Sequence, residues 1–162
     1  MKKNKSWQEK LTDQKDLPKV EVIPDKLVSR WGAGTLVIPA PIEVDQMMRG
    51  VPKGKLTTIN QIRSALAKKH QATIACPITT GIFARIAANA AEEIATVKPR
   101  TRITPYWRTL KAGGPLNEKY PGGTSRQKQR LNAEGHRVVK KGKNFAVENF
   151  ERKIFSFEQP TD

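Results

Sequence analysis

The chain has 162 residues and a modest hydrophobic fraction of 37%, enough for one compact domain with tails or a small domain pair. Its formal net charge of +15 suits a polyanionic partner, nucleic acid ahead of an anionic membrane surface. A single cysteine, Cys76, excludes an internal disulfide and a multi-cysteine metal site, and His70 and His136 lack metal-ligand spacing with it, so neither metal nor cofactor is expected.

The first residues, Met1 to Trp7, are charged and no apolar stretch follows them, unlike a secretory signal. No apolar run approaches the ~20 residues that span a bilayer. A soluble cytoplasmic monomer, associated with the nucleoid when bound to DNA, is the expectation. Residues 98–162 carry 15 Lys/Arg against 6 Asp/Glu, so most of the positive field comes from the C-terminal part.

In chain order, residues 1–40 are polar, broken by Pro18, Pro24 and Pro39, and read as an extension packing on the core. They hold a short helical candidate near Trp7–Leu11 and an apolar patch at Leu36–Ile38. Ile42, Val44, Met47 and Met48 suit a helix ended by Gly50 and Pro52. Thr57 or Thr58 can cap the next, where Ile59, Ile62 and Leu66 make one apolar face and Lys68-Lys69-His70 complement the helix dipole. After a connector at Ala75-Cys76-Pro77, Thr79 or Thr80 is the expected cap of a third helix. Its stripe would be Ile82, Phe83, Ile86, Ala90, Ile94 and Val97, with Arg85, Ala88, Asn89 and Glu92 opposite. Two helices on a short connector suggest a helix-turn-helix. A Pro/Gly-rich stretch over 99–123, a helix over about 125–134 and strands at 136–140 and 145–150 complete the reading.

Four segments together resemble a known family. They are Pro52-Lys53-Gly54-Lys55-Leu56-Thr57-Thr58, Ala84-Arg85-Ile86-Ala87-Ala88-Asn89-Ala90, Pro105-Tyr106-Trp107-Arg108-Thr109 and Leu131-Asn132-Ala133-Glu134-Gly135-His136. Their content and order are similar to the DNA-binding domain of the methylated-DNA–protein cysteine methyltransferases. The likeness is greatest to the alkyltransferase-like members that lack the active-site cysteine. The resemblance implies an α+β, mainly helical fold with a winged-helix-like helix-turn-helix over residues 41–155, followed by a tail at 156–162. It also implies a minor-groove recognition helix and a pocket for a flipped nucleotide. Carried over residue by residue, Arg85 stands at the intercalating arginine, with Ala84 and Ala88 as small residues allowing close approach. Thr57 and Thr58 lie at the entry to the first motif helix. Tyr106, Trp107 and Glu134 fall at the pocket. Arg100, Arg102, Arg108 and Lys111, with Lys128 and Arg130, are candidates for DNA contact.

The family's chemistry needs an activated thiolate. Tyr106 takes the place of that cysteine, and a phenol of pKa ~10 is only about one part in a thousand ionised at neutral pH. Trp107 replaces the adjacent histidine, and an indole can donate but not accept a proton. Ile59 replaces the family tyrosine that helps rotate the nucleotide. No catalytic residue is therefore assigned. The function expected from the resemblance is non-catalytic binding of duplex DNA, with alkylated guanine or distorted sites as preferred targets and a repair protein as a further partner. Two other readings stay open: an active methyltransferase using Cys76, and an RNA-associated or scaffold protein reusing the fold. Whether Tyr106 and Trp107 line a usable pocket or simply fill it is also open at the level of sequence.

Overall fold

The computed structural model describes residues 4–157; Met1 to Lys3 and the end of the tail, 158–162, lie outside the described residues. Helix α1 (Trp7–Thr12) is where the sequence places it, with Ser6 Oγ accepting from Glu9 N at 3.1 Å as the cap. Strand β1 (Lys19–Val22), helix α2 (Asp25–Trp31) and strand β2 (Thr35–Ile38) follow. The apolar patch at Leu36–Ile38 is β2. It pairs antiparallel with β1, Lys19 opposite Ile38 and Val22 opposite Thr35, and parallel with β4 (Ile74–Ala75), so β2 is the middle strand. Neither β1 nor α2 was legible in the sequence. Val20 and Val22 are exposed and α2 buries no residue fully, so neither element carries the periodic burial that reveals secondary structure.

Helix α3 (Pro41–Arg49) buries Val44 and Met48, and Glu43 reaches back from its first turn to accept from Ala40 N at 2.9 Å. Strand β3 (Thr57–Thr58) leads into α4 (Ile59–Lys69), where Thr58 Oγ1 accepts from Gln61 N at 3.3 Å, and Ile62 and Leu66 face inward as expected. The third expected helix, α5 (Pro77–Val97), differs in two ways. It begins at Pro77 rather than at a threonine cap, because proline at the first helical position has no N–H to satisfy and a preset φ. Thr80 instead donates its hydroxyl to Cys76 O at 2.6 Å. Its buried face is also shifted from the expected stripe: Thr80, Ala84, Ala87, Ala88, Ala90 and Ala91 are buried, Phe83 and Ile86 are partly buried against the core, and Ile82 is 51% and Val97 75% exposed. Alanines on the inward face let α3 and α5 pack at short range, where isoleucines would hold them apart.

Beyond α5, a 3-10 turn (Tyr106–Arg108) runs into β5 (Thr109–Leu110), which pairs parallel with β3. Helix α6 (Gly123–Ala133), the hairpin β6–β7 (Val138–Lys141 and Asn144–Val147) and a second 3-10 turn (Phe150–Lys153) close the chain over the core. Gly114, at φ +102°, sits where a Cβ would lie 2.5 Å from the Phe150 ring, so the turn after β5 tolerates no side chain there. The arrangement is α+β and mainly helical, with α4, β4 and α5 forming the helix pair and its connector. No helix among the described residues is long and apolar enough to cross a membrane.

Candidate nucleic-acid interface and a closed aromatic pocket

The connector of the helix pair is fixed from two sides. Arg63 of α4 donates through Nε to Ala75 O at 3.2 Å, and Cys76 N donates to Val37 O of β2 at 2.9 Å. Arg85 projects from α5 into solvent, its guanidinium 6.0 Å from the centre of the Trp7 ring, with no carboxylate partner among the described residues. Ile78 and Ile82, 60% and 51% exposed, share the outer surface of this helix. Ala84 and Ala88 do not. Both turn into the core, where their small size serves the packing of α5. Thr57 is buried in β3 and Thr58 is occupied with capping α4.

The residues assigned to the pocket lie close together in a packed layer. Tyr106 is fully buried and Trp107 is 9% exposed. The Tyr106 ring meets Trp107 and Tyr120 edge-on, both with centroids 5.3 Å apart. Tyr106 Oη donates to Glu92 Oε1 at 2.6 Å. Burial first, and then the Glu92 carboxylate, pushes its phenol well above the ordinary value of 10.0. Glu92 is also held by Arg130 at 2.7 Å and Arg126 at 3.2 Å, and the Arg130 guanidinium lies over the Trp107 ring, 4.5 Å from its centre. A tyrosine, a carboxylate and two arginines thus latch α5 to α6 across the aromatic layer. Arg130 Nε is buried there without a hydrogen-bond partner, and the Trp107 indole helps to hold the Glu134 carboxyl in its charged form.

Glu134, at the end of α6, lies beneath this layer. It accepts from Arg108 Nε at 2.9 Å and Nη2 at 2.6 Å, while Arg108 Nη1 donates to Val51 O at 2.7 Å. Burial pushes the Glu134 carboxyl up, but the Arg108 hydrogen bonds and charge outweigh it and hold the group below its ordinary value of 4.5. Arg108 is therefore a buried, fully engaged cation, paired within the fold rather than presented to solvent. Gln127 ties α6 to the same turn by donating to Trp107 O at 3.2 Å.

The remaining cations divide into two groups. Lys111 is paired with Glu118 at 3.3 Å, Arg130 is consumed by the latch, and Lys128 covers the Phe145 ring at 5.4 Å. Arg100 and Arg102, in the loop after α5, are exposed and have no ion pair among the described residues. Glu92 and Glu93 are both engaged within the fold. Glu92 is neutralised in the latch, and Glu93 accepts from Trp7 N and Gln8 N at 3.0 and 3.1 Å, anchoring the start of α1. The latch roles of Glu92 and Arg126 were missed by sequence reading. The available signal was a carboxylate two helical turns beyond Arg85, in a helix otherwise lined with alanine.

Cys76 is buried with Ile23 and Leu36 under α2, in an apolar cluster separate from the one that holds Tyr106. A groove of about 1230 Å³ between α3, α4 and residues 154–157 includes none of Tyr106, Trp107 or Glu134 in its lining. Among the described residues no group of His, Cys, Asp and Glu is placed to hold a metal.

No family model matches the chain, and no curated protein matches it. Solved structures similar to the chain include two from S. pombe. S. pombe Atl1, in complex with damaged DNA containing O6-carboxymethylguanine, is 18% identical with a TM-score of 0.49, over 72% of this chain and 94% of that one. S. pombe ATL in complex with DNA is 18% identical with a TM-score of 0.46, over the same shares.

Proposed function

We propose that this protein binds duplex DNA without modifying it, with Arg85 of α5 as the helix contact. The observation that carries the reading is how the positive charge is partitioned. Cations buried around the aromatic layer are matched to carboxylates, whereas Arg85, Arg100 and Arg102 are exposed and unmatched. An exposed cation on one helix of a helix pair, in a chain of charge +15, suits a phosphate rail. If ~4–6 phosphates are neutralised, log affinity should fall with log salt at a slope of about −4 to −5. Arg85→Ala should weaken binding by on the order of 1–3 kcal/mol, read by fluorescence anisotropy on a labelled duplex. An affinity indifferent to salt, or an Arg85→Ala protein that binds as the parent does, would contradict this mode.

The non-catalytic reading is supported at position 106, where a buried phenol is tied to Glu92 and its ionised form is disfavoured. Incubation with 6-O-methylguanine duplex should leave the intact mass unchanged. A stoichiometric gain mapped to Cys76 would instead make the protein an enzyme.

One observation favours a finer reading, recognition of alkylated or distorted sites. Arg130 Nε is a buried donor without a hydrogen-bond partner, beside an aromatic layer that the Glu92 latch crosses. Opening the latch would offer a flipped base both a stacking surface and a hydrogen-bond donor. A site bound but not repaired would then pass to a separate repair protein, with this chain acting as a monomer.

A further inference from the structure

The hairpin β6–β7 lies beyond the four family-like segments, and the function proposed above leaves it unused. Its strands are joined by the two residues Gly142 and Lys143, with Gly142 at φ +61°. Glycine with positive φ at the first turn position matches the twist of paired strands, so the tip is a tight, ordered turn. Lys140, Lys141 and Lys143 crowd this tip, and all three are exposed. Successive strand residues point to opposite faces, so Lys140 and Lys141 diverge across the ribbon while Lys143 extends from its end. Lys128 stands beside the ribbon over Phe145, the residue paired with Lys140.

The acidic residues nearest in sequence are Glu134 and Glu148, and neither reaches the tip. Glu134 is bound to Arg108, and Glu148 pairs with Arg137 at 3.6 Å at the hairpin's base. Residues 135–147 contain no Asp or Glu, and the three tip lysines have no ion pair among the described residues. The base is meanwhile anchored: Leu116 N donates to Phe145 O at 2.9 Å, and Val147 and Ala146 are buried. An anchored mount thus presents three solvated positive charges with no counter-charge beside them, an arrangement complementary to an external polyanion.

We infer that the β6–β7 tip is a second phosphate-gripping element, in which Lys140, Lys141 and Lys143 hold the backbone of duplex DNA apart from the helix contact at Arg85. The inference rests on the DNA-binding reading for its ligand, but it concerns a different surface. Gly142 has nothing within 4 Å of where a Cβ would be, so the tip can lie close against a groove wall. No apolar side chain is exposed in the turn to enter a bilayer, which favours a rail of phosphates over a lipid surface.

The test uses the full chain, a 24-base-pair DNA duplex and a duplex RNA of the same length, titrated across salt concentrations. K140A/K141A/K143A should flatten the log-log salt slope by about 2–3, since each phosphate contact contributes roughly 0.9. It should also weaken binding at least tenfold near physiological salt. K140R/K141R/K143R should keep both slope and affinity. A flattened slope in the alanine variant supports the tip contact, even if Arg85→Ala proves silent and the helix reading falls. An unchanged slope, with Arg85→Ala still weakened, overturns the tip contact alone. Failure of the parent to bind DNA, or a tip effect seen only on RNA, overturns the inference as well.

Discussion

Replacing Glu134 with Ala should lower the unfolding free energy by about 3–5 kcal/mol, because it strands a buried guanidinium. Arg108 is 10% and Glu134 9% exposed at the side chain, and their two-point contact leaves little room for water to take over. For a chain of this length that loss should appear as a fall in Tm of roughly 6–20 °C, measured by circular dichroism. Substituting both partners together, as Arg108→Met with Glu134→Leu, should recover much of it, since the penalty comes from the unmatched charge. The pair also sets an acid limit. Glu134 titrates below its ordinary value of 4.5 in the folded protein, so its contribution is fully present above that value and lost as pH falls through the lower folded one. Glu43 adds in the same direction: burial raises its carboxyl, but Lys69, the Ala40 amide and His70 together lower it further. Urea unfolding at pH 7 and below pH 4.5 should therefore show the parent losing more stability on acidification than Glu134→Ala. Equal losses would mean the pair does not control acid stability.

Tyr106→Ala should cost a comparable ~3–5 kcal/mol, through the cavity left between Trp107 and Tyr120. Tyr106→Phe keeps the rings in contact and removes only the bond to Glu92, which retains Arg126 and Arg130; a loss of about 1 kcal/mol is expected. The same layer decides the finer functional reading. With Trp7 and Trp31 changed to Phe, Trp107 is the sole tryptophan. Duplex carrying 6-O-methylguanine should then quench its emission more than unmodified duplex does. Equal quenching by the two would mean that the layer stays shut on DNA and that Tyr106 and Trp107 act only as core.

Where side chains repeat with the period of an element, the sequence was readable. Helices α3, α4 and α6 and the hairpin fall within a few residues of their expected places, because buried Val44, Ile62, Leu66 and Leu131 recur on one face. Helix α5 was placed, and Phe83, Ile86 and Ala90 of its expected stripe do pack on the core, but its most buried face runs through the neighbouring alanines. Hydrophobicity favours isoleucine over alanine for burial, yet close helix packing selects the smaller side chain, so Ala84 and Ala88 lie inside and Ile82 outside. The site was legible as a set of residues and not as a state. Tyr106, Trp107, Arg108 and Glu134 do converge, but closure of the layer depends on Glu92, Arg126 and Arg130, long-range partners that no local pattern encodes.

Strand β2 lies between β1 and β4, and its backbone carries part of the connector: Thr73 N donates to Thr35 O at 3.1 Å and Cys76 N to Val37 O at 2.9 Å. Glu93 is bound in turn to the first residues of α1. Residues 7–40 are thus built into the fold rather than appended to it. Cutting the chain at residue 40 would strip two acceptors from the turn that aims α5 and leave the Glu93 carboxylate without its two amides. The bearing of Arg85 is accordingly set by a stretch that contains none of the family-like motifs. Trimming the protein to its motif-bearing segment would blunt the very helix pair such trimming is meant to isolate.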